Sequence, residues 1–336
     1  MKKVLTVILI VLGSLAGAAL LFVGGVALNG TCFRDPGEPD ERLSRWMGEL
    51  PDDLRVCEIV MPGSHDAGTN GMIWPGETQN TAVKEQMLFG ARYFDLRVHR
   101  LDDGKLVIYH DILDGTDFLP ILGDIRAFLE EHPTETLLLD FQHFSGSSQR
   151  DVFDALTEEL DSRGMLLKYD DDELDEVEFI SRVTLGEARG KAIVFFGDRS
   201  WYEGDFIFHR NNDSCSEMGM ALDSCYDADL HKSGTGALLN EAFPKYFALE
   251  EEKTEIWGPG IFVLQAQLTD GRTIFGPWSL KRRHDGLMSE YIRNLKNDPE
   301  NLCRVNVIMR DFLTPQKCEE IIELNKAKAA LRYSDD

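Results

Sequence analysis

The chain has 336 residues, enough for one large domain or two small ones, and its 59 acidic against 35 basic residues leave a formal net charge of −24. A surface that negative repels nucleic acid and anionic lipid faces, which excludes nonspecific electrostatic adhesion to either. Six cysteines occur without a CxxC spacing, so zinc-ribbon spacing is excluded too.

Lys2 and Lys3 precede an uncharged run from Val4 to Leu28. That run exceeds the ~7–15 residues of a secretory core and suits the ~17–25 of a spanning helix. Residues 1–30 therefore read as a transmembrane anchor or, alternatively, a cleaved signal sequence. With the lysines ahead of the run, the remainder is expected outside the cytoplasm, membrane-anchored, or secreted if the leader is removed. In an oxidising compartment disulfides are expected, Cys215 with Cys225 and Cys303 with Cys318 being plausible local pairs. Residues 31–50 read as a polar linker containing one short helix, and 51–336 as the main domain.

From there apolar runs alternate with helical patterns. "VCEIVM" (56–61), "RYFDLRV" (92–98), "KLVIYH" (105–110) and "TLLLDFQHF" (136–144) are expected strands, followed by "KAIVFFG" (191–197), "GIFVLQAQL" (260–268) and "RVNVIMRDF" (304–312). Several are continuously apolar, as in a parallel sheet covered on both faces. Helical spacing is seen over 118–132, 148–164 and 314–332, the last with a Thr cap and proline in its first turn. The acidic stretch 169–179 reads as a solvated loop. The alternation argues for an α/β barrel or an open doubly wound sheet, and no glycine-rich phosphate loop follows a strand.

In α/β barrels chemistry gathers at the C-terminal ends of strands. The first expected strand ends at His65 and Asp66, the second carries Asp95 and Arg97, the third ends at His110, and the last carries Arg310 and Asp311. Two imidazoles and a guanidinium suit phosphodiester cleavage without a metal. One ring takes a proton from the attacking hydroxyl, the other protonates the leaving oxygen, and the guanidinium neutralises charge on the phosphoryl oxygens. A carboxylate behind an imidazole fixes its tautomer.

"MPGSHDAGT" (61–69), "QMLFGARYFDLRV" (86–98) and "YHD" (109–111) resemble the signatures of the phosphatidylinositol-specific phospholipase C X domain, and "PTETLLLDFQHF" and "VNVIMRDF" resemble its later strand motifs. The resemblance implies an irregular TIM-type (β/α) barrel over 51–336 and a phosphoric diester hydrolase or lyase acting on a phospholipid at a membrane surface through a cyclic phosphate. It implies His65 as general base with Asp311 as its partner, His110 as general acid backed by Asp95, Arg97 on the phosphoryl oxygens and Asp66 bridging toward it. Calcium-using members carry an asparagine after the first histidine, a Glu-x-Asp pair on the second strand and a glutamate on the fourth. This chain has Asp66, Asp95 with Arg97, and Gln142, so no metal and no other cofactor is expected. Headgroup contacts are expected from Gln142, His143, Asp198, Arg199, Gln265 and Gln267, while the lysine and aspartate of the bacterial branch are missing. Two alternatives stand beside this reading: a glycerophosphodiesterase-like enzyme on a related barrel, and a non-catalytic headgroup-binding module. No nucleic acid and no obligate protein partner is expected.

Overall fold

The computed structural model describes residues 13–18, 36–73, 76–169, 174–201, 203–211, 219–269 and 276–332. The chain divides into one unit ending at Gly37 and a second running from Glu38. The second contains ten strands: β1 (Met61–Ser64), β2 (Tyr93–Arg100), β3 (Leu106–His110), β4 (Leu113–Asp117), β5 (Leu137–Ser145), β6 (Ala192–Phe196), β7 (Ile207–His209), β8 (Leu222–Ser224), β9 (Ile261–Gln265) and β10 (Val307–Arg310). Eight of them run parallel in the order β7-β6-β5-β2-β1-β10-β9-β8. The ring meets between β7 and β8 through one parallel bridge, Arg210 to Leu222, where the Asn211 amide donates to the Leu222 carbonyl at 3.0 Å. The expected irregular α/β barrel is present.

Alternation along the strands decides what fills the barrel and what covers it. Met61, Tyr93, Leu138, Ile193, Phe195, Val263, Val307 and Met309 form one buried cluster drawn from strands all round the ring, the interior. The residues between them pack outward against helices: Leu137, Leu139, Phe141, Val194 and Phe196 meet Ile121, Leu122, Ile125 and Val152 of the helices Phe118–Glu131 and Gln149–Glu159. Phe262, Leu264 and Ile308 meet Phe243 and Phe247 of the helix Phe243–Trp257. Both faces of the sheet are thus buried, which is why its runs lack a polar side. The interior also holds a polar strut near the seam. Arg210 reaches Asp140 of β5 at 3.1 Å, and the Tyr93 hydroxyl donates to the same carboxylate.

Several expectations need correction. "VCEIVM" is not one strand: Val56–Glu58 forms a 3₁₀ turn, and pairing starts at Met61. "KLVIYH" is a strand but not a barrel stave. It pairs antiparallel with β2 and β4, because Gly104 (φ +88°) closes a tight turn in which Leu101 and Lys105 bond across 2.9 Å. The helix expected over 314–332 is two, Pro315–Ile322 and Leu324–Arg332, and part of the acidic stretch forms a helix, Glu176–Arg182, capped by Asp175.

Within the run expected to span a membrane, residues 13–18 are described, as a helix. Among the described residues no helix is long and apolar enough to cross a membrane. The anchor is therefore not supported, and the membrane-anchored localisation built on it falls too; the rest of the run lies outside the described residues. The Cys303–Cys318 bridge is not formed. Cys303 is exposed and Cys318 fully buried, in the layer between barrel and helices. Cys215 lies outside the described residues.

Residues 41–49, inside the segment read as a polar linker, close the N-terminal end of the barrel with buried Leu43, Trp46 and Met47. Fully buried Arg92 holds them there. Its guanidinium donates to Glu135 Oε2 at 3.0 and 2.6 Å and to the Ser44 carbonyl at 2.8 Å, and the Met47 amide donates to the same carboxylate. Removing one member of a buried pair strands the other charge. Glu135→Ala is therefore expected to lower the free energy of unfolding by about 3–5 kcal/mol, read as an earlier midpoint in chemical denaturation.

Candidate active site

The inward-facing positions of four strands turn from apolar to polar or ionisable as the strands approach their C-terminal ends. Beyond Met61 and Gly63 comes His65; beyond Tyr93 come Asp95 and Arg97; beyond Leu138 and Asp140 comes Gln142; beyond Val307 and Met309 comes Asp311. Parallel pairing of β1 with β10 (Ser64 opposite Arg310) and with β2 (Ser64 opposite Phe94) sets these ends side by side. A register shift between Leu96 and Arg97 brings Arg97 level with His143.

The centre of the cluster is the buried Asp66 carboxylate. Arg97 Nε lies 2.8 Å from its Oδ1, His65 Nε2 3.4 Å from its Oδ2, and His110 Nε2 3.5 Å from the same oxygen. Each imidazole is fixed from behind. His65 Nδ1 lies 2.7 Å from Asp311 Oδ1, and His110 Nδ1 lies 2.9 Å from the Gly76 carbonyl, which can only accept. Both rings therefore turn Nε2 toward the same space. Arg97 is held in turn by Asp95 Oδ2 at 3.1 Å and by Gln142 Oε1 at 2.6 Å.

The backbone at these strand ends is unusual. Asp66 (φ +43°), Asp111 (φ +54°) and Phe312 (φ +49°) all adopt the left-handed region, which costs of order 1–2 kcal/mol for an L-residue and must be imposed by surrounding bonds. The Asp66 amide donates to Asp95 Oδ2 and the Phe312 amide to the Thr78 carbonyl. Buried Gln79 staples the two chain ends: its amide nitrogen donates to the carbonyls of His65 and Arg310, and its oxygen accepts from the Leu313 amide. Gln79 and Gly76 carry no motif-like signal. Only the fold brings them to the site.

Electrostatics follow from this packing. Burial would lower the His65 pKa, but the carboxylates of Asp66 and Asp311 outweigh it and lift the ring to about 9. Burial would raise Asp66, yet Arg97 and then the imidazoles hold it down at about 2. His65, Asp66 and Asp95 bring three potential ligand atoms within 4.8 Å of one another. Arg97 already sets a fixed positive charge against both carboxylates, so these residues do not fit a divalent cation.

The expected residues separate into groups. His65, Asp66, Asp95, Arg97, His110, Asp311 and Gln142 are brought together. His143 is exposed beside them, and its charge acts on Asp66. Gln265 and Gln267 are buried further round the ring, bonded to each other at 2.8 Å. Asp198 and Arg199 are exposed and engaged elsewhere: Asp198 accepts from Ser200 of its own loop at 2.9 and 2.6 Å, and Arg199 borders a cavity with Glu176, His209 and Trp257. Asp95 is not behind His110. The short Asp-Leu-Arg spacing turns its carboxylate to Arg97, and the acidic group nearest the His110 ring is Asp66.

Residues 56–196 match the family model described as phosphatidylinositol-specific phospholipase C, X domain. A 1-phosphatidylinositol phosphodiesterase of Staphylococcus aureus is 26% identical over 162 residues, 45% of this chain and 49% of that protein. A PI-PLC X-box domain-containing protein of Dictyostelium discoideum is 33% identical over 111 residues, 27% of this chain and 15% of that protein. The matches thus span half or less of these relatives' own lengths. A solved structure of the Staphylococcus aureus phosphatidylinositol-specific phospholipase C superposes with a TM-score of 0.65 at 18% identity, covering 87% of this chain and 99% of that one, which shows a shared fold. Residues 56–196 thus carry the phosphatidylinositol-specific phospholipase C X-domain signature, set in a barrel whose fold a solved phosphatidylinositol-specific phospholipase C shares.

Proposed function

We propose that the protein is a phosphoric diester hydrolase or lyase that cleaves a phosphatidylinositol-type headgroup phosphodiester by acid–base catalysis. One observation carries this reading: two imidazole Nε2 atoms converge on one carboxylate from 3.4 and 3.5 Å, with a guanidinium on its other oxygen. The relative named 1-phosphatidylinositol phosphodiesterase supports the substrate class. A glycerophosphodiesterase reading needs a carboxylate metal site, and Arg97 already occupies those carboxylates.

In the proposed reaction His65 Nε2 takes the proton of the headgroup hydroxyl next to the phosphate, and that oxygen attacks phosphorus. Asp311 holds the opposite face of the ring and stabilises the imidazolium that forms. Protonated His110 delivers a proton from Nε2 to the departing glyceryl oxygen, releasing diacylglycerol. Arg97 neutralises the phosphoryl oxygens as charge builds. Water then opens the cyclic phosphate with the roles of the two rings exchanged.

Turnover of phosphatidylinositol in detergent micelles, followed by phosphorus NMR to catch the cyclic product, tests the reading. His65→Ala and His110→Ala are each expected to lower kcat by about 10²–10⁴, and EDTA is expected to leave wild-type turnover unchanged. Wild-type parity of either variant would defeat the reading.

The proton on His65 gives a second test. Because His65 must be neutral while His110 keeps its proton, kcat/KM is expected to be bell-shaped in pH, with one limb set by the His65 ionisation at about 9. A raised pKa also means that the His65 contribution to stability is complete below its ordinary 6.5 and is lost as pH rises through about 9. Asp66 works in the opposite sense: its contribution is complete above 3.8 and is lost as pH falls through about 2. In Asp66→Asn, NMR titration of the His65 ring is expected to show its midpoint displaced downward.

A further inference from the structure

His231 lies in the short helix Ala228–Lys232, which follows β8, and is fully buried. Its Nδ1 sits 2.8 Å from the Gln267 carbonyl. A carbonyl only accepts, so Nδ1 carries the proton and Nε2 is left as a bare acceptor. That Nε2 is buried and has no hydrogen-bond partner among the described residues. Beside it, a run of amides ends in the same condition. Gln265 Nε2 donates to Ser224 Oγ at 2.7 Å and Gln267 Nε2 donates to Gln265 Oε1 at 2.8 Å, which leaves Gln267 Oε1 buried with no partner.

These two acceptors belong to the working end of the barrel. Gln265 pairs with Met309 in register, and the Ala266 amide donates to the Met309 carbonyl, so Gln267 stands level with Asp311, the residue that holds His65. The charge of His65 is felt at His231, and burial keeps the His231 ring neutral, with its pKa pushed down to about 4.

A buried acceptor without a donor costs about 1–3 kcal/mol, so each of these two calls for a ligand donor that the described residues do not supply. The chemistry of that ligand is restricted. Both acceptors are uncharged and need a donor, which a hydroxyl provides. A phosphate or carboxylate would bring only further acceptors, and an ammonium group would add the cost of burying a charge. We infer that His231, with Gln267 beside it, is a specificity-determining residue that accepts a ring hydroxyl of the polyol headgroup. The inference rests on the phosphodiesterase reading above.

Its test compares wild type with His231→Phe, which keeps a ring but loses the acceptor, and His231→Gln, which restores one. On phosphatidylinositol, His231→Phe is expected to raise KM about tenfold or more, with kcat within about threefold of wild type, and His231→Gln to recover part of the loss. The decisive arm is a set of headgroup analogues that each lack one ring hydroxyl. One analogue should penalise wild type by that same factor and penalise His231→Phe no further. Equal penalties in both proteins for every analogue, or a fall in kcat with KM unchanged, overturn the assignment. Should His231→Phe fail to fold, Gln267→Met removes the second acceptor and is read against the same set. A wild type inert toward all these lipids would overturn the phosphodiesterase reading instead. Calorimetry with free inositol then decides the acceptor separately: binding by wild type that His231→Phe loses upholds it, and no binding by wild type overturns it.

Discussion

The site is organised around a carboxylate that carries its charge in a dry place. Asp66 is buried, held near pKa 2, and touched by a guanidinium and two imidazoles. An isolated buried carboxylate would take up a proton; this one stays ionised because three cationic or potentially cationic groups surround it. The dependence is mutual. Asp66 and Asp311 together keep a proton on His65, Asp66 aligns the Nε2 atoms of both rings, and its own backbone is bent into the left-handed region by the bond to Asp95. The same three groups that surround this negative charge are the ones proposed to meet the diester. The resting site thus resembles an ion-paired template for its anionic ligand.

The barrel supplies that template by layering. Its lower inward positions are apolar, its middle holds the Asp140–Arg210 strut, and its upper rim holds the titratable cluster. Each layer constrains the next. Met309 must pack inside for Asp311 to emerge beside His65, and Gly63 must lack a side chain because a Cβ there would lie 2.7 Å from Val307 Cγ1. A slip of one residue in any stave would turn its rim residue to the helical side.

Much of this was legible in the sequence. Six of the seven apolar runs cover most of a strand, while 56–61 reaches only the first residue of β1, and the rim residues His65, Asp95, Arg97, His110 and Asp311 stand out as ionisable positions in or just beyond those runs. Of the missing strands, β4 is a largely polar arm hairpinned directly onto β3, and β7 and β8 are three residues each, so no long apolar run announces them. "KLVIYH" reads like any buried stave, and only its antiparallel pairing distinguishes it. Asp198 and Arg199 follow a strand just as His65 does, but the loop carrying Asp198 bends back on Ser200 instead of facing inward. His231 carries no motif-like signal, and its open nitrogen is visible only once Gln267 is seen to occupy the other one. The uncharged leader shows the opposite failure, where hydropathy alone suggested a span that the described helix does not provide.

The placement of His110 on the β3–β4 hairpin has a mechanical consequence. His65, Arg97 and Asp311 ride on staves locked by parallel ladders on either side, whereas His110 belongs to an antiparallel flap attached to the ring along β2 alone. The flap is also tied by His110 to the Gly76 carbonyl, by Thr116 to the Gly68 carbonyl and by Asp114 to His99, and its Leu106 and Ile108 pack into the outer core. Of the two rings proposed to move protons, one therefore rides on a stave paired on both sides and the other on an arm joined to the ring along a single antiparallel edge.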